Sequence, residues 1–303
     1  MVLGPDPPDQ WGLHTIADRI RDGRAKRIVV ACGAGISTAA GIPDFRSPGT
    51  GLYANLQKYN LEEPEDIFCI EFFRETPEPF FALAKELYPG RFKPTRTHHF
   101  LVLLSRHQVL QRVLTQNIDM LELAAGVPTD LVIHAHGSFA TASCLDCRHA
   151  YTADAIRAQV LRDEVPRCTE CSTAGLVKPD IVFFGESLPK AVTTAMHDDL
   201  PAADLLLVLG TSLSVAPFNL VPDFVEKDVP RVLVNRERVG DHGSSARGFD
   251  FTGKVQKYRR DLFVGMSTDD AVTELAEHLG WLDELLELER ESDLADALAK
   301  VEI

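Results

Sequence analysis

Residues 27–53 decide the fold of this chain, and they read RIVVACGAGISTAAGIPDFRSPGTGLY. The stretch opens with the β-branched run Arg27 to Ala31, which is typical of a buried strand in a parallel sheet. Gly33-Ala34-Gly35 follows at once, and then a segment that can begin a helix. Glycines let the backbone approach a ligand closely, and the free N–H groups at a helix start favour phosphate. Strand, glycine turn and helix in this order predict a site for a dinucleotide pyrophosphate.

The glycine motif differs from the usual dinucleotide fingerprint G-x-G-x-x-G. Thr38 stands where the third glycine would be, and no second strand ends in an acidic residue about twenty positions later. Instead, residues 41–46 read GIPDFR, which places an acid, an aromatic ring and a cation in one loop. A hydride-transfer enzyme does not need such a loop. The glycine pair alone is equally compatible with simple turn chemistry.

Composition limits the classes of function. The chain has 303 residues, of which 45% are hydrophobic and 25% charged, which fits one large α/β domain with an insertion or two smaller domains. The net charge of −14 argues against non-specific binding of nucleic acid. It suits lysine-rich protein segments, although solubility also explains such a charge. We find no secretory signal, no myristoylation site and no apolar stretch as long as a membrane span, so we expect no membrane partner.

Short apolar runs alternate with segments of helix length, which predicts a doubly wound parallel sheet. The predicted helices include Leu13–Asp22, Thr97–Leu104, Asp269–Leu279 and an acidic tail helix from Asp283. The predicted strands after the first are Val113–Thr115, Leu131–Ile133, a run from Pro179 to Glu186, Asp204–Leu209 and Arg231–Val234. Polar residues follow several of these strands, and open α/β sheets bind ligands at the carboxyl ends of their strands.

Two interruptions of the alternation predict a smaller domain. Residues 56–96 carry clustered phenylalanines and several prolines, which indicates short helices. Residues 138–176 contain four of the six cysteines. We therefore assign 11–55, 97–137 and 177–282 to a Rossmann-like domain, 56–96 to a helical insertion, 138–176 to a metal-binding module and 283–303 to an acidic helical tail.

The four cysteines are Cys144, Cys147, Cys168 and Cys171, two C-x-x-C pairs separated by twenty residues. This spacing is typical of a tetrahedral four-thiolate zinc site, whereas a single pair would be ambiguous. Four thiolates fill the coordination shell of one Zn²⁺ and leave no position for water, so the predicted role is structural. Cys32 and Cys69 have no such partners, and we interpret them as core thiols.

Three segments carry a resemblance to a known family. GAGIS, GIPDFR and GLY of residues 33–53 resemble the signature of the sirtuins, the NAD-dependent protein deacylases. His136-Gly137-Ser138-Phe139 matches the sirtuin HGxF segment, and Gln116 to Asp119 matches QNID. The resemblance spans roughly Ile16 to Trp281 and is strongest to the eukaryotic cytosolic and mitochondrial deacetylase branch. It implies removal of acyl groups from protein lysines, with release of nicotinamide and O-acyl-ADP-ribose.

The resemblance also implies roles for individual residues. His136 would be the general base on a ribose hydroxyl, and Asn117 would orient the ribose and a nearby water. From its position in the sequence alone, a structural role in the core is about as well supported for His136 as a catalytic role. His134 would point to the other face of the strand and have a structural role. The resemblance assigns NAD contacts to Gly33, Ala34, Gly35, Ser37, Asp44, Phe45, Arg46, Tyr53, Gln116, Asn117, Ile118, Asp119, Gly210, Thr211, Ser212, Asn235 and Glu237.

By the same resemblance, two segments would hold the substrate as an added strand. The residues concerned are Val182, Phe183, Gly185, Glu186 and Val215. Family members that prefer acidic acyl groups carry an arginine just after the signature loop, and residues 51–56, GLYANL, have none. We therefore expect acetyl or a longer neutral acyl group on protein lysines, with histone-type or tubulin-type proteins among the candidate substrates. We expect a cytoplasmic protein, and entry into the nucleus stays open.

Other functions stay open from the residues themselves. ADP-ribosyl transfer to protein or NAD hydrolysis would share the first step, and a hydride-transfer oxidoreductase or a non-catalytic acyl-lysine-binding protein would use a similar crevice. The chain departs from the family in Val239–Arg260 and at Met266-Ser267-Thr268, where many relatives carry an adenine-contacting cysteine. These departures concern the adenine end of the cofactor site.

Overall fold

A computed structural model describes residues 11–42, 64–241, 247–253 and 259–299. Its main sheet has six strands, all parallel. The strands of this sheet are β1 Ile28–Cys32, β2 Leu110–Thr115, β3 Val132–His134, β7 Leu205–Leu209, β8 Arg231–Val234 and β9 Asp261–Val264. Their spatial order is β3-β2-β1-β7-β8-β9. Counted within the sheet, the order is 3-2-1-4-5-6, which is that of dinucleotide-binding folds. The predicted doubly wound parallel sheet is confirmed.

Helices cover both faces of the main sheet. Even-numbered residues of β1 pack on one side, against the helices Leu13–Arg21, Arg96–Arg106 and Thr268–Leu279. Odd-numbered residues of β1 pack on the other side with residues of Lys190–His197 and Asp199–Ala202. Every residue of β1 and β7 is buried, which explains why these strands are continuous apolar runs. The other described helices are Ile70–Glu75, Glu78–Leu87, Leu121–Ala125, Ala153–Leu161 and Leu282–Ala299.

A second, smaller sheet consists of three antiparallel strands. It has the order β5-β4-β6, with β4 Gly137–Cys144, β5 Ala150–Thr152 and β6 Val177–Ile181. Its core is shared with the two short helices between residues 70 and 87. Ring centroids of Tyr88 and Phe139, which come from the two interruptions of the main sheet, lie 5.3 Å apart. The predicted smaller domain is thereby confirmed as one packed unit.

The run from Pro179 to Glu186 does not return to the main sheet as predicted. Residues 177–181 form β6, which pairs antiparallel with β4. The chain leaves β3 directly into β4, so β6 finds its partner in the small sheet before the main sheet resumes at β7. The apolar residues after β6 instead pack beside the phenylalanines of the helical insertion, and only Phe184 forms a bridge, to Cys69.

The segment after the glycine turn also differs from the prediction. It forms two short 3-10 turns, Ala34–Ile36 and Thr38–Ala40, instead of the beginning of a regular α-helix. Gly41 ends the second turn with φ of +83°, a left-handed conformation that glycine adopts without steric cost. Within the described residues, this segment has no long helix whose dipole could hold a phosphate.

Among the residues that the structure covers, no helix combines the length and the apolar character needed to cross a membrane.

Candidate active site and metal centre

The carboxyl ends of four adjacent strands form one edge of the main sheet. Parallel pairing places Cys32 beside Thr115 and Leu209, and Thr115 beside His134. The segments that follow these strands therefore meet at the same edge, on either side of β1, where the strand order reverses. This reversal creates the crevice in which open α/β sheets bind their ligands. The candidate residues 33–37, 116–119, 134–136 and 210–212 all follow these strands.

Asn117 joins the loop after β2 to the glycine turn after β1. Its Nδ2 donates to the carbonyl of Gly33 over 3.2 Å and to Ser37 Oγ over 3.1 Å. The Ser37 hydroxyl in turn donates to Asp119 Oδ2 over 2.7 Å. Burial raises the pKa of Asp119, and the hydrogen bond from Ser37 opposes that rise. Asn117, Ser37 and Asp119 thus form one hydrogen-bonded group across two strand ends.

Gln116 contacts two other residues that line the crevice, one through its side chain and one through its backbone. Its side-chain Nε2 donates to Thr211 Oγ1 over 2.7 Å, which links it to the segment after β7. Its backbone carbonyl lies 3.1 Å from His136 Nδ1. A carbonyl oxygen only accepts, so Nδ1 of His136 carries the hydrogen. In the neutral ring, Nε2 of His136 is therefore the free base.

His136 is partly buried in this crevice, and its ring centroid lies 6.5 Å from that of Phe218. Burial lowers the pKa of His136, and the hydrogen bond to the Gln116 carbonyl acts in the opposite direction. The imidazole is consequently neutral near pH 7. His134 differs in its contacts, because its Nδ1 lies 3.4 Å from the Asn117 carbonyl.

The glycine turn lies in direct contact with the segment after β7. Gly35 N–H donates to the Gly210 carbonyl over 2.8 Å. A Cβ atom added at Gly35 would lie 2.5 Å from Gly210 Cα, and one added at Gly210 would lie 2.7 Å from Gly35 Cα. Both positions therefore need glycine for the two backbones to approach. Thr268 Oγ1 donates to the Gly35 carbonyl over 3.4 Å from the opposite side.

Backbone hydrogen bonds connect the segment 182–186 to His136 and to the helical insertion. Val182 N–H donates to the His136 carbonyl over 2.8 Å. Phe184 N–H donates to the Phe68 carbonyl over 2.7 Å, and its carbonyl accepts from Ile70 N–H over 3.2 Å. The Phe184 side chain is 53% exposed, although most large apolar side chains are covered. Gly185 has φ of +91°, which turns the chain back to Glu186.

The remaining candidates lie at the periphery. Ala34 is in the first 3-10 turn, and Ile118 packs against the core of the small domain. Ser212 Oγ lies 2.8 Å from Ser214 Oγ, and Asn235 Nδ2 donates to the Glu237 carbonyl over 2.8 Å. Ser212 and Glu237 are exposed, and Val215 is half-buried. Asp44, Phe45, Arg46 and Tyr53 lie outside the described residues.

The four predicted cysteines come together in the small domain. Their Sγ atoms all lie within 4.8 Å of one another, with Cys144 to Cys171 at 3.8 Å and Cys147 to Cys168 at 3.6 Å. Zn–S bonds of about 2.3 Å in a tetrahedron place sulfur atoms about 3.8 Å apart. Backbone N–H groups of Asp146 and Cys147 point at Cys144 Sγ. The four thiolates therefore fit one structural zinc ion.

The donor set of the crevice suits a nucleotide cofactor. Two amide side chains, several hydroxyls, one partly buried carboxylate and one neutral imidazole lie around the point where the strand order reverses. Amides and hydroxyls match the hydroxyl and carboxamide groups of a dinucleotide. A Rossmann-type nucleotide-binding protein with an attached four-thiolate metal module is the class that this fold and site define.

Comparison with known proteins identifies the family. Residues 33–217 match the model of the Sir2 family. The chain is 48% identical to the NAD-dependent protein deacetylase sirtuin-2 of Danio rerio, over 95% of this chain and 78% of that protein. It is 47% identical to the NAD-dependent protein deacetylase sirtuin-3 of Mus musculus, over 94% and 81% respectively. The NAD-dependent protein deacetylase hst2 of Schizosaccharomyces pombe shares 44% identity, over 91% and 79%. The chain belongs to the Sir2 family, and the predicted membership is confirmed.

Several residues in or next to the site were not predicted from the sequence. Lys178 is almost fully buried under the segment 182–186, and its Nζ lies 3.0 Å from Glu186 Oε2. His98 and Glu122 are fully buried behind the 116–119 loop. A charged residue inside an apolar run, as in LVKPDIVFF, is the signal that could have indicated Lys178. His98 and Glu122 lie in ordinary helical patterns, so only the fold shows that they meet.

Proposed function

We propose that this chain is an NAD-dependent protein-lysine deacylase in which His136 is the general base and Asn117 orients the reacting sugar. The observation that supports it most directly is the hydrogen bond between His136 Nδ1 and the Gln116 carbonyl. It leaves Nε2 as the basic atom at the sheet edge, on a ring that is neutral near pH 7. The similarity to deacetylases over more than nine-tenths of the chain supports the reaction type.

Different residues of the crevice would bind or orient different parts of NAD. NAD, when bound, would supply a ribose carbon from which nicotinamide can leave and a ribose hydroxyl that finally takes up the acyl group. Asn117 and Ser37 lie where they can orient the ribose, and Asp119 offers a carboxylate to the nicotinamide side. His136 Nε2 would accept the proton of a ribose hydroxyl, because a neutral imidazole is a suitable base at this pH.

The adenine side of the cofactor would meet the segments after β7 and β8. Thr211 is held by Gln116, whereas Ser212 is exposed and its hydroxyl can turn to a ligand. Asn235 holds the backbone of Glu237, so the exposed Glu237 carboxylate is available for ribose hydroxyls. We propose the same cofactor contacts for Asp44, Phe45, Arg46 and Tyr53 from the resemblance alone.

An acylated lysine peptide would enter between the segments 182–186 and 213–215. The N–H groups of Val182, Phe183, Phe184 and Glu186 are already bonded within the protein. A peptide strand added here would therefore bind through carbonyl groups of this segment, or through Gly185 N–H. Such backbone contacts give little selectivity for peptide sequence. We propose neutral acyl groups and cytoplasmic protein substrates, with histone-type and tubulin-type proteins as candidates.

The test is a mass-spectrometric assay with NAD and matched peptides that carry acetyl, longer fatty acyl or succinyl groups on one lysine. We expect nicotinamide release only with acylated peptide, formation of O-acyl-ADP-ribose, and faster turnover of neutral acyl groups. His136→Ala should abolish turnover without changing zinc content, whereas His149→Ala, in the zinc module, should leave turnover intact. Adenine-labelled NAD that leaves its label on an acceptor protein would instead support ADP-ribosyl transfer. Nicotinamide release without peptide would support NAD hydrolysis.

A further inference from the structure

A cluster of buried ionisable groups lies directly behind the 116–119 loop. One ring nitrogen of His98 and one carboxylate oxygen from each of Asp119 and Glu122 lie within 4.8 Å of one another. The three residues come from the helix Arg96–Arg106, the loop after β2 and the helix Leu121–Ala125. His98 and Glu122 are both 0% exposed. The function proposed above gives a role to Asp119 only.

The tautomer of His98 is fixed by its own helix start. Thr95 N–H, whose direction is fixed by the backbone, donates to His98 Nδ1 over 3.1 Å. The Thr95 hydroxyl lies 2.8 Å from both His98 Nδ1 and the Ile36 carbonyl and donates its one hydrogen to one of these two acceptors. Burial lowers the pKa of His98 to about 3, so the ring is neutral. Because Nδ1 accepts, Nε2 carries the hydrogen. In the described part of the chain, this buried Nε2 has no hydrogen-bond partner.

This arrangement disfavours a metal ion, although the three side chains are of types that bind metals. A metal at Nε2 would require that nitrogen to lose its hydrogen while Nδ1 still accepts from the backbone. The N–H group at Nε2 is a hydrogen-bond donor, so it needs a hydrogen-bond acceptor and not a metal ion. Glu122 Oε2 is buried and likewise has no partner among the described residues. The two atoms form no direct hydrogen bond with each other, and one buried water between them would satisfy both.

The two carboxyl groups differ in burial, because Glu122 is 0% exposed whereas Asp119 is only partly buried. Asp119 accepts from the Ser37 hydroxyl over 2.7 Å and from Leu121 N–H over 2.9 Å, two contacts that favour its anion. Glu122 also receives hydrogen bonds, from the Thr115 hydroxyl and from its own backbone N–H, and Cys32 Sγ, a weak donor, lies 3.8 Å from its Oε1. Two buried carboxylates this close cannot both be charged at low cost. The proton therefore belongs on Glu122, and burial together with the Asp119 charge raises the pKa of Glu122 to about 7.

The other ionisable groups near the cluster bring no charge. Burial raises the pKa of Cys32 well above its usual value, so that thiol is neutral. Burial lowers the pKa of His134, which faces Asp119 from β3. No described cation thus compensates for a second negative charge in this cluster at neutral pH.

We propose that Glu122 and Asp119 hold a single proton, carried by Glu122, and that His98 positions Glu122 through its Nε2–H. This pair keeps Asp119 anionic and oriented toward the nicotinamide carboxamide, an assignment that rests on the proposed function. His98 and Glu122 are positioning residues, since they act on the cofactor only through Asp119. When Glu122 loses its proton at higher pH, two adjacent anions share one buried site and the nicotinamide end of the crevice is disturbed.

The test uses Glu122→Gln, which imitates the protonated acid at every pH. Calorimetric titration with nicotinamide and with NAD, from about pH 5.5 to about pH 9, compares it with the wild-type protein. We expect wild-type affinity to fall about tenfold as pH rises through 7, because coupled groups of this kind interact by at least one pK unit. Glu122→Gln should keep the low-pH affinity throughout. Equal pH dependence in both proteins would overturn the proposal.

Two measurements without any ligand accompany the titration. The pKa of Glu122 is raised by folding, so wild-type stability should decrease between about pH 4.5 and about pH 7, and Glu122→Gln should be spared this loss. The infrared difference between the two proteins should contain the C=O band of a protonated carboxyl group. An active enzyme that lacks both signatures contradicts the proton pair, whereas an inactive protein that shows both contradicts the proposed function instead.

His98→Gln and His99→Gln form the matched pair for the positioning role. Both histidines are buried on the same helix, but His99 is surrounded by Glu289, Asp293 and Asp269 on the side of the tail helix. Only His98→Gln should alter the pH dependence of nicotinamide binding. Equal effects of the two variants would remove His98 from the proposal. A second metal ion per chain, lost in His98→Gln, would replace the proton pair by a metal site.

Discussion

The ammonium group of Lys178 lies 3.0 Å from Glu186 Oε2, beneath the segment that we propose to hold the substrate. Its Nζ also donates to the carbonyls of Pro179 and Ile181, over 3.2 and 2.5 Å. The same Glu186 oxygen accepts from Phe183 N–H over 2.9 Å. The Lys178 side chain is 5% exposed and Glu186 is 26% exposed. One buried cation therefore fixes the end of β6 and the turn that carries Phe184.

Lys178→Met should loosen this turn without reaching the cofactor crevice. It leaves two carbonyls and the Glu186 carboxylate without their cation, at a cost of about 2 kcal/mol in the free energy of unfolding, since Glu186 is partly solvated. We expect the KM for acylated peptide to rise about tenfold, with the Kd for NAD unchanged. Steady-state kinetics and denaturant unfolding measure both effects.

The control for this prediction is the double variant Lys178→Met with Glu186→Gln. It removes the uncompensated charge and should recover part of the lost stability. If Lys178→Met instead weakens NAD and peptide binding equally, the lysine acts on the whole domain and not on the substrate segment.

The pH dependence of turnover should reflect the burial of His136. Burial lowers the pKa of His136 below 6.5, so the ring remains neutral, and able to accept a proton, to lower pH than an exposed histidine. The acid limb of kcat/KM should therefore have its midpoint below pH 6.5. Rates at saturating NAD over a pH series measure it. A midpoint above 6.5 would show that another group controls the acid limb.

Much of the site could be predicted because it depends on local patterns. The run Ile28–Cys32 is fully buried in the centre of the sheet, and such strands are recognisable from their apolar residues alone. The cysteine spacing likewise predicts the four-thiolate cluster, since its ligands come as two local pairs. The segments after β1, β2, β3 and β7 meet simply because all these strands are parallel.

The parts that could not be predicted depend on pairing between distant segments. Residues 177–181 have the composition of a main-sheet strand, and only their pairing with β4 places them in the small sheet. The turns after Gly33 were predicted as a helix because the close contact of Gly35 with Gly210 involves residues far apart in the chain. The meeting of His98 with Glu122 is likewise a property of helix packing that no spacing in the sequence indicates.

Gly35→Ala should destabilise the protein and weaken NAD binding. The new methyl group would lie 2.5 Å from Gly210 Cα, a backbone atom that cannot move aside without shifting the strand end. We expect a loss of about 2 kcal/mol in the free energy of unfolding, in the range of overpacked sites. Gly265→Ala is the matched control, because its methyl group would meet only the ring of Phe263, at 3.3 Å. Thermal unfolding with and without NAD compares the two, and equal losses would contradict the contact.

Tyr151→Phe should weaken zinc binding without disturbing the crevice. The Tyr151 hydroxyl donates to Cys168 Sγ over 3.1 Å and accepts from Thr169 N–H over 3.1 Å, so it supports a thiolate ligand from outside the metal shell. Loss of such a partner typically costs about 10–100-fold in metal affinity. Tyr88→Phe is the matched control in the same domain, since that hydroxyl donates to the Ala153 carbonyl, away from the cysteines. Competition with a chelator measures zinc affinity, and mass spectrometry should find one zinc per chain in both variants before chelation. If chelator removes zinc from both variants at the same concentration, the hydrogen bond to Cys168 contributes nothing to the metal site.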